Sequence, residues 1–78
     1  MTDDKFSQIY EQYKKLLYTV IYKYVNSVED SFDILQEVFI NFYKHRDNIQ
    51  SESFYKSYLV KIAINMSLNF LKKSKKGS

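Results

Sequence analysis

From Phe6 to Val25 the apolar residues recur in steps of three and four: Phe6, Ile9, Tyr10, Tyr13, Leu16, Leu17, Val20, Ile21, Tyr24 and Val25. That period is one face of an α-helix, and it predicts an amphipathic helix of about 20 residues. The pattern breaks at Asn26-Ser27. Either residue could cap a following helix, because Glu29 and Asp30 stand three positions after Asn26 and Ser27, the spacing of a capping box.

A second helix is expected over residues 28–44, with Phe32, Leu35, Val38, Phe39 and Phe42 directed inward. Asp33, Gln36, Glu37, Ile40 and Asn41 then fall largely on other faces. From His45 to Ser53 the period is lost, making this the longest polar connection, with room for a short turn at Asp47 to Ile49. Ser51 or Ser53 can cap a third helix starting near Phe54. Its apolar positions are Phe54, Tyr58, Leu59, Ile62, Ala63, Met66 and Phe70, and it is expected to fray into Lys72-Lys73-Ser74-Lys75-Lys76. The fold class predicted is all-α: a compact orthogonal or antiparallel bundle of three to four helices, the last open to division in two.

Composition narrows this further. A chain of 78 residues buries only about 60 to 65% of its unfolded surface, which allows one modest core. Proline is absent and the single glycine is Gly77, so the usual punctuation of hairpins is missing. There is no cysteine, which excludes a disulfide scaffold and a cysteine-based zinc site. Residues 1–76 are read as one domain and residues 77–78 as a tail or an expression remnant. The acidic start lacks the basic and apolar regions of a signal peptide, and no apolar run approaches the roughly 20 residues of a membrane span. A soluble, cytoplasmic protein is the expectation.

Charge is unevenly distributed. Residues 1–50 carry six Lys or Arg against eight Asp or Glu, whereas residues 51–78 carry six Lys against Glu52 alone. The basic end suits a polyanion, although a lysine-rich helix end also complements the helix dipole and aids solubility. Asp33 and Glu37 stack four residues apart, a spacing that costs a few tenths of a kcal/mol and suits either a basic partner or plain solvated surface.

The chemistry on offer argues against an enzyme. His45 is the only histidine, with no metal-site partner and no nucleophile arranged around it, and is read as a surface or loop residue. No glycine-rich phosphate loop exists, and neither a metal nor a cofactor is expected. From Phe54 onward, aromatic residues alternate with Lys56, Lys61, Lys72 and Lys73, and Asn65 and Asn69 lie one turn apart. Rings that stack, amides that read base edges and lysines that neutralise phosphates are the parts of a single-strand binder. The same aromatics at helical spacing belong more often to a core, and most of the chain's rings are expected to be core or half-buried, with some tyrosine hydroxyls at the rim.

The stretch Asp33-Ile34-Leu35-Gln36-Glu37-Val38-Phe39-Ile40, followed by Phe42-Tyr43-Lys44-His45-Arg46-Asp47 and by Ser53-Phe54-Tyr55-Lys56-Ser57-Tyr58-Leu59-Val60-Lys61-Ile62-Ala63-Ile64-Asn65, resembles conserved region 2 of bacterial sigma factors. The resemblance is to the extracytoplasmic-function (ECF) group of the sigma-70 family and covers residues 5–73. It implies docking on a coiled coil in the largest catalytic subunit of RNA polymerase through Asp33, Gln36 and Glu37, with Phe39 or Ile40 beside them. It also implies capture of the −10 promoter element as an unwound non-template strand. The loop from Asp47 to Ser53 would take a flipped base, with Asn48 and Ser51 among its contacts. Tyr55, Lys56, Tyr58, Lys61, Asn65, Asn69, Lys72 and Lys73 would meet flanking nucleotides and backbone. An anti-sigma protein is a further implied partner. The chain departs from the family pattern in having Tyr58 where many members have tryptophan, and Lys61 and Ile64 where arginine is common. The second, −35-reading domain (region 4) of such factors is absent from these residues. The competing reading is a helical protein-interaction module without sequence-specific nucleic-acid binding.

Overall fold

The computed structural model describes residues 3–76, which form helices α1 (Asp3–Val25), α2 (Val28–Lys44) and α3 (Tyr55–Lys76). Two short 3-10 turns, Arg46–Asn48 and Glu52–Phe54, lie in the connection between α2 and α3. Each helix packs against the other two. The expected all-α bundle is therefore present with three helices, and α3 runs undivided for 22 residues. The expected tail at residues 77–78 lies outside the described residues.

Of the two candidate caps for α2, Ser27 is the one used, and Asn26 instead closes α1. Asn26 adopts a left-handed conformation, φ 57°, which asparagine tolerates better than most side chains. Its N–H donates to the Tyr22 carbonyl at 2.8 Å, closing α1. Ser27 is extended, and its hydroxyl accepts the Asp30 N–H at 3.3 Å, opening α2. Glu29 and Asp30 in the first turn of α2 and Lys44 in the last complement the helix dipole.

Five of the ten buried apolar residues described come from α2: Ile34, Leu35, Val38, Phe39 and Phe42. That shortest helix is thus the centre of the core. Ile9, Leu17 and Ile21 of α1 and Leu59 and Ala63 of α3 close around it. Phe42 is sealed from solvent, with the rings of Tyr55 at 5.2 Å and Phe6 at 6.4 Å.

The inward stripe of α2 is rotated from the one expected. Ser31 and Ile34 are buried, whereas Phe32 is 51% exposed. At about 100° per residue, Ser31 lies roughly 20° from Val38 around the axis and Phe32 roughly 120°. Phe32 instead rests at the flank against Tyr18, 5.0 Å between ring centroids. Leu16 and Tyr24 of α1 are also exposed, and Phe54, half exposed, precedes α3 within the second 3-10 turn. Neither Ser51 nor Ser53 caps α3 through its side chain; their hydroxyls bond each other at 2.7 Å. Of the described aromatic residues only Tyr22, Tyr24, Phe32 and Phe54 are exposed, so most rings are core or half-buried as anticipated.

Candidate polymerase and nucleic-acid interface

Because the core stripe of α2 faces α1 and α3, the opposite stripe has nowhere to go but solvent. Asp33, Gln36, Glu37 and Ile40 are all exposed there, Ile40 by 54%. The structure therefore brings these four together on one outer face. Among the described residues neither acidic side chain is in a salt bridge. Phe39 does not join them. It is only 3% exposed, with its ring 4.7 Å from that of Tyr10, so it supports the face from beneath and cannot touch a partner. Beside Ile40 an apolar groove of about 390 Å³ is lined by Phe6, Tyr43 and the stem of Lys44.

The second face belongs to α3. Leu59, Ala63 and Ser67, four residues apart, form its buried stripe. Ser67 is tolerated inside because its hydroxyl donates to the Ala63 carbonyl at 2.8 Å. Lys61, Asn65, Asn69 and Lys72 are exposed and fall within roughly 80° of one another on the far side. Leu68, 47% exposed and absent from the sequence expectation, lies among them and lines a groove of about 660 Å³ with Asn65, Asn69 and Lys72. Lys56 is exposed but about 140° around the helix from Lys61, so the two lysines cannot serve one strand path along the stripe. Lys73 stands at the seam with α2, in a groove shared with Asn69, Phe70 and Glu37.

Tyr55 and Tyr58 are half-buried rather than free platforms. Their rings lean on Phe42 at 5.2 and 6.2 Å. Asp47, Asn48, Ser51 and Ser53 are exposed along the connecting loop, while Ile49 packs against the core and anchors it. A salt bridge from Lys5 to Glu52 ties the start of α1 to the second 3-10 turn. The hydrogen bond to Glu52 holds the Lys5 ammonium above the ordinary lysine value of 10.5. A group raised on folding contributes below its unfolded value and stops contributing as pH climbs through the folded one. The tie is accordingly intact at neutral pH, and on the alkaline side it loosens as pH climbs through the raised lysine value.

Sequence reasoning gave Arg46 no role. Its guanidinium donates to the Tyr43 carbonyl and lies 4.0 Å from the centre of the Tyr43 ring. The (i, i+3) pairing of an aromatic residue with arginine at a helix end was the available signal. His45 is occupied locally, with Nδ1 2.9 Å from the Asn41 carbonyl. Among the described residues no three metal-ligating side chains converge, and no helix is long and apolar enough to cross a membrane.

The fold is thus a three-helix bundle with an acidic outer face on its central helix and an amide and lysine stripe on its last. Residues 9–77 match the family model of sigma-70 region 2, and the chain belongs to that family. It is similar to the ECF RNA polymerase sigma factor SigW of Bacillus subtilis (strain 168), at 31% identity over 72 residues. That match covers 92% of this chain and 38% of the relative, so the chain spans well under half the relative's length. No solved structure matches it. Membership of this family, rather than any missing group, settles that the chain is not an enzyme.

Proposed function

We propose that this domain binds core RNA polymerase through the outer face of α2 and recognises and holds open the −10 promoter element as single-stranded non-template DNA along α3 and the loop before it. The observation that carries this reading is the separation of two chemistries on one small bundle. Asp33, Gln36, Glu37 and Ile40 form an unrelieved acidic and apolar face, and Lys61, Asn65, Asn69 and Lys72 form a basic, amide-bearing one. An acidic face complements a basic coiled coil, and matched charge favours correct register and fast encounter. Lysines position phosphates, while loop groups and amides distinguish bases. An extruded base costs a few kcal/mol, recovered through contacts in the loop. Opening in this sense means trapping an unwound strand by binding, with no covalent step.

The same reading makes the protein cytoplasmic and gives it a second partner, an anti-sigma protein that covers the polymerase-facing surface. Binding of the purified chain to a fragment carrying the polymerase coiled coil is the direct test. The Asp33→Ala/Glu37→Ala variant, checked for unchanged helicity by circular dichroism, is expected to lose affinity tenfold or more, which corresponds to about 1.4 kcal/mol. Undiminished binding by the folded variant overturns the assignment of that face. For the nucleic-acid face, a single strand should bind more tightly than the same sequence as duplex.

A further inference from the structure

We propose that Arg46 is a positioning residue that locks the loop of residues 47–53 into its strand-receiving shape; the inference rests on the reading of that loop given above. The last carbonyls of α2 have no partners within the helix and must find them outside. The His45 N–H takes those of Asn41 and Phe42, at 3.1 and 3.2 Å, and the His45 ring also meets Asn41. Arg46 takes the next one, Tyr43, by folding its side chain back over the helix end and laying its guanidinium against the Tyr43 ring. That ring is in turn held edge-on by Phe6 at 5.0 Å.

The backbone of the same residue opens the loop. Its carbonyl accepts the Ile49 N–H at 3.3 Å, next to the Asn48 N–H donating to His45 at 3.0 Å, and Ile49 is the loop's apolar anchor. One residue thus joins the α2 terminus to the loop through both side chain and main chain. Two of its three guanidinium nitrogens are committed to the protein: Nη1 donates to the Tyr43 carbonyl, and Nε is sealed from solvent with no hydrogen-bond partner among the described residues. An arginine serving as a phosphate ligand would present that fork outward. At the loop's far end the Glu52–Lys5 ion pair and the Ser51–Ser53 hydroxyl pair supply the other closure. A loop held at both ends pays less ordering cost when a strand arrives. Arginine suits the role because a planar guanidinium can stack and donate at once, whereas an ammonium is a point charge.

Amide hydrogen exchange by NMR on the full chain, for the wild type, Arg46→Lys and Arg46→Ala, tests this alongside binding to a panel of single-stranded ten-nucleotide DNAs across a salt series. In Arg46→Ala the Asn48 and Ile49 amides are expected to exchange roughly fivefold faster or more while α1 and α3 keep their protection. Arg46→Lys should fall between. The spread between the tightest and weakest oligonucleotides should narrow, with the salt dependence unchanged. Unchanged exchange at Asn48 and Ile49, or an equal rise at every amide, overturns the proposal, because Arg46 would then do nothing local or only stabilise the bundle. So does a salt slope reduced by about 0.7, which marks the loss of one phosphate contact. If the wild type binds all the oligonucleotides equally, base recognition is the part that fails, and the exchange rates still decide the role of Arg46.

Discussion

Phe39 and Ile40 are neighbours in sequence and opposites in structure, 3% and 54% exposed. Phe39→Ala removes a ring that meets Tyr10 and Phe6, and it is expected to cost about 3–5 kcal/mol in urea denaturation. Much of a small domain's total of about 5–15 kcal/mol would go with it. Ile40→Ala should leave stability within about 0.5 kcal/mol and weaken polymerase docking instead. Equal effects of the two on unfolding would contradict the burial pattern. Ser31 offers a finer test, since it is sealed in the core with no partner for its hydroxyl among the described residues. Removing a buried, unsatisfied hydroxyl relieves its desolvation cost, so Ser31→Ala should raise stability by about 1 kcal/mol. Ser67→Ala, which discards a made hydrogen bond to Ala63, should give no such gain under the same conditions.

At the scale of elements, the junction between α1 and α2 depends on two adjacent residues with different tasks. Asn26 supplies the left-handed turn that ends α1, and Ser27 supplies the oxygen that starts α2. A β-branched residue at Asn26 meets the steric penalty of that region, so Asn26→Val should cost about 1–2 kcal/mol. Ser27→Ala should cost about 1 kcal/mol through the lost cap. Thermal or urea midpoints check both; a neutral Asn26→Val would show that the backbone there relaxes into another path. The pair sets how α1 meets α2, and so how squarely Asp33, Gln36, Glu37 and Ile40 present themselves to a partner.

At the scale of the whole molecule, the bundle is longer than it is wide, 42 × 21 × 17 Å, and its two candidate faces meet at the α2–α3 seam beside Glu37, Asn69 and Lys73. A single strand following the α3 stripe passes Lys61 and Lys72. Each phosphate neutralised on single-stranded DNA contributes about −0.7 to the slope of log affinity against log salt. Lys61→Ala and Lys72→Ala should each make the slope shallower by about that amount. Lys56→Ala should leave it unchanged, because that side chain points away from the stripe. A slope sensitive to Lys56 and indifferent to Lys61 would place the strand on the other side of the helix.

Much of this was legible along the chain, because a helix writes its buried face as a period. The bounds of α2, the long amphipathic α1 and the outward position of Asp33, Gln36 and Glu37 follow from spacing and caps, which are local properties. The Asp-x-x-Gln-Glu stretch carried the family in the same way. Tertiary packing decided what spacing leaves open. An apolar face about 100° wide has edges, and only the placement of α1 and α3 determined that Ser31 and Ile34 go inside while Phe32 stays at the rim. The same contacts put Phe39 out of a partner's reach and leaned Tyr55 and Tyr58 on Phe42. Folding the Arg46 guanidinium back over Tyr43, and bringing Lys5 to Glu52 from 47 positions away, required the helices to be in place first. The sequence by itself determined which residues could form helices and which chemistries each helix would carry. The meeting of those helices decided which side chains remain free to bind, because burial depends on what lies opposite as well as on what precedes and follows.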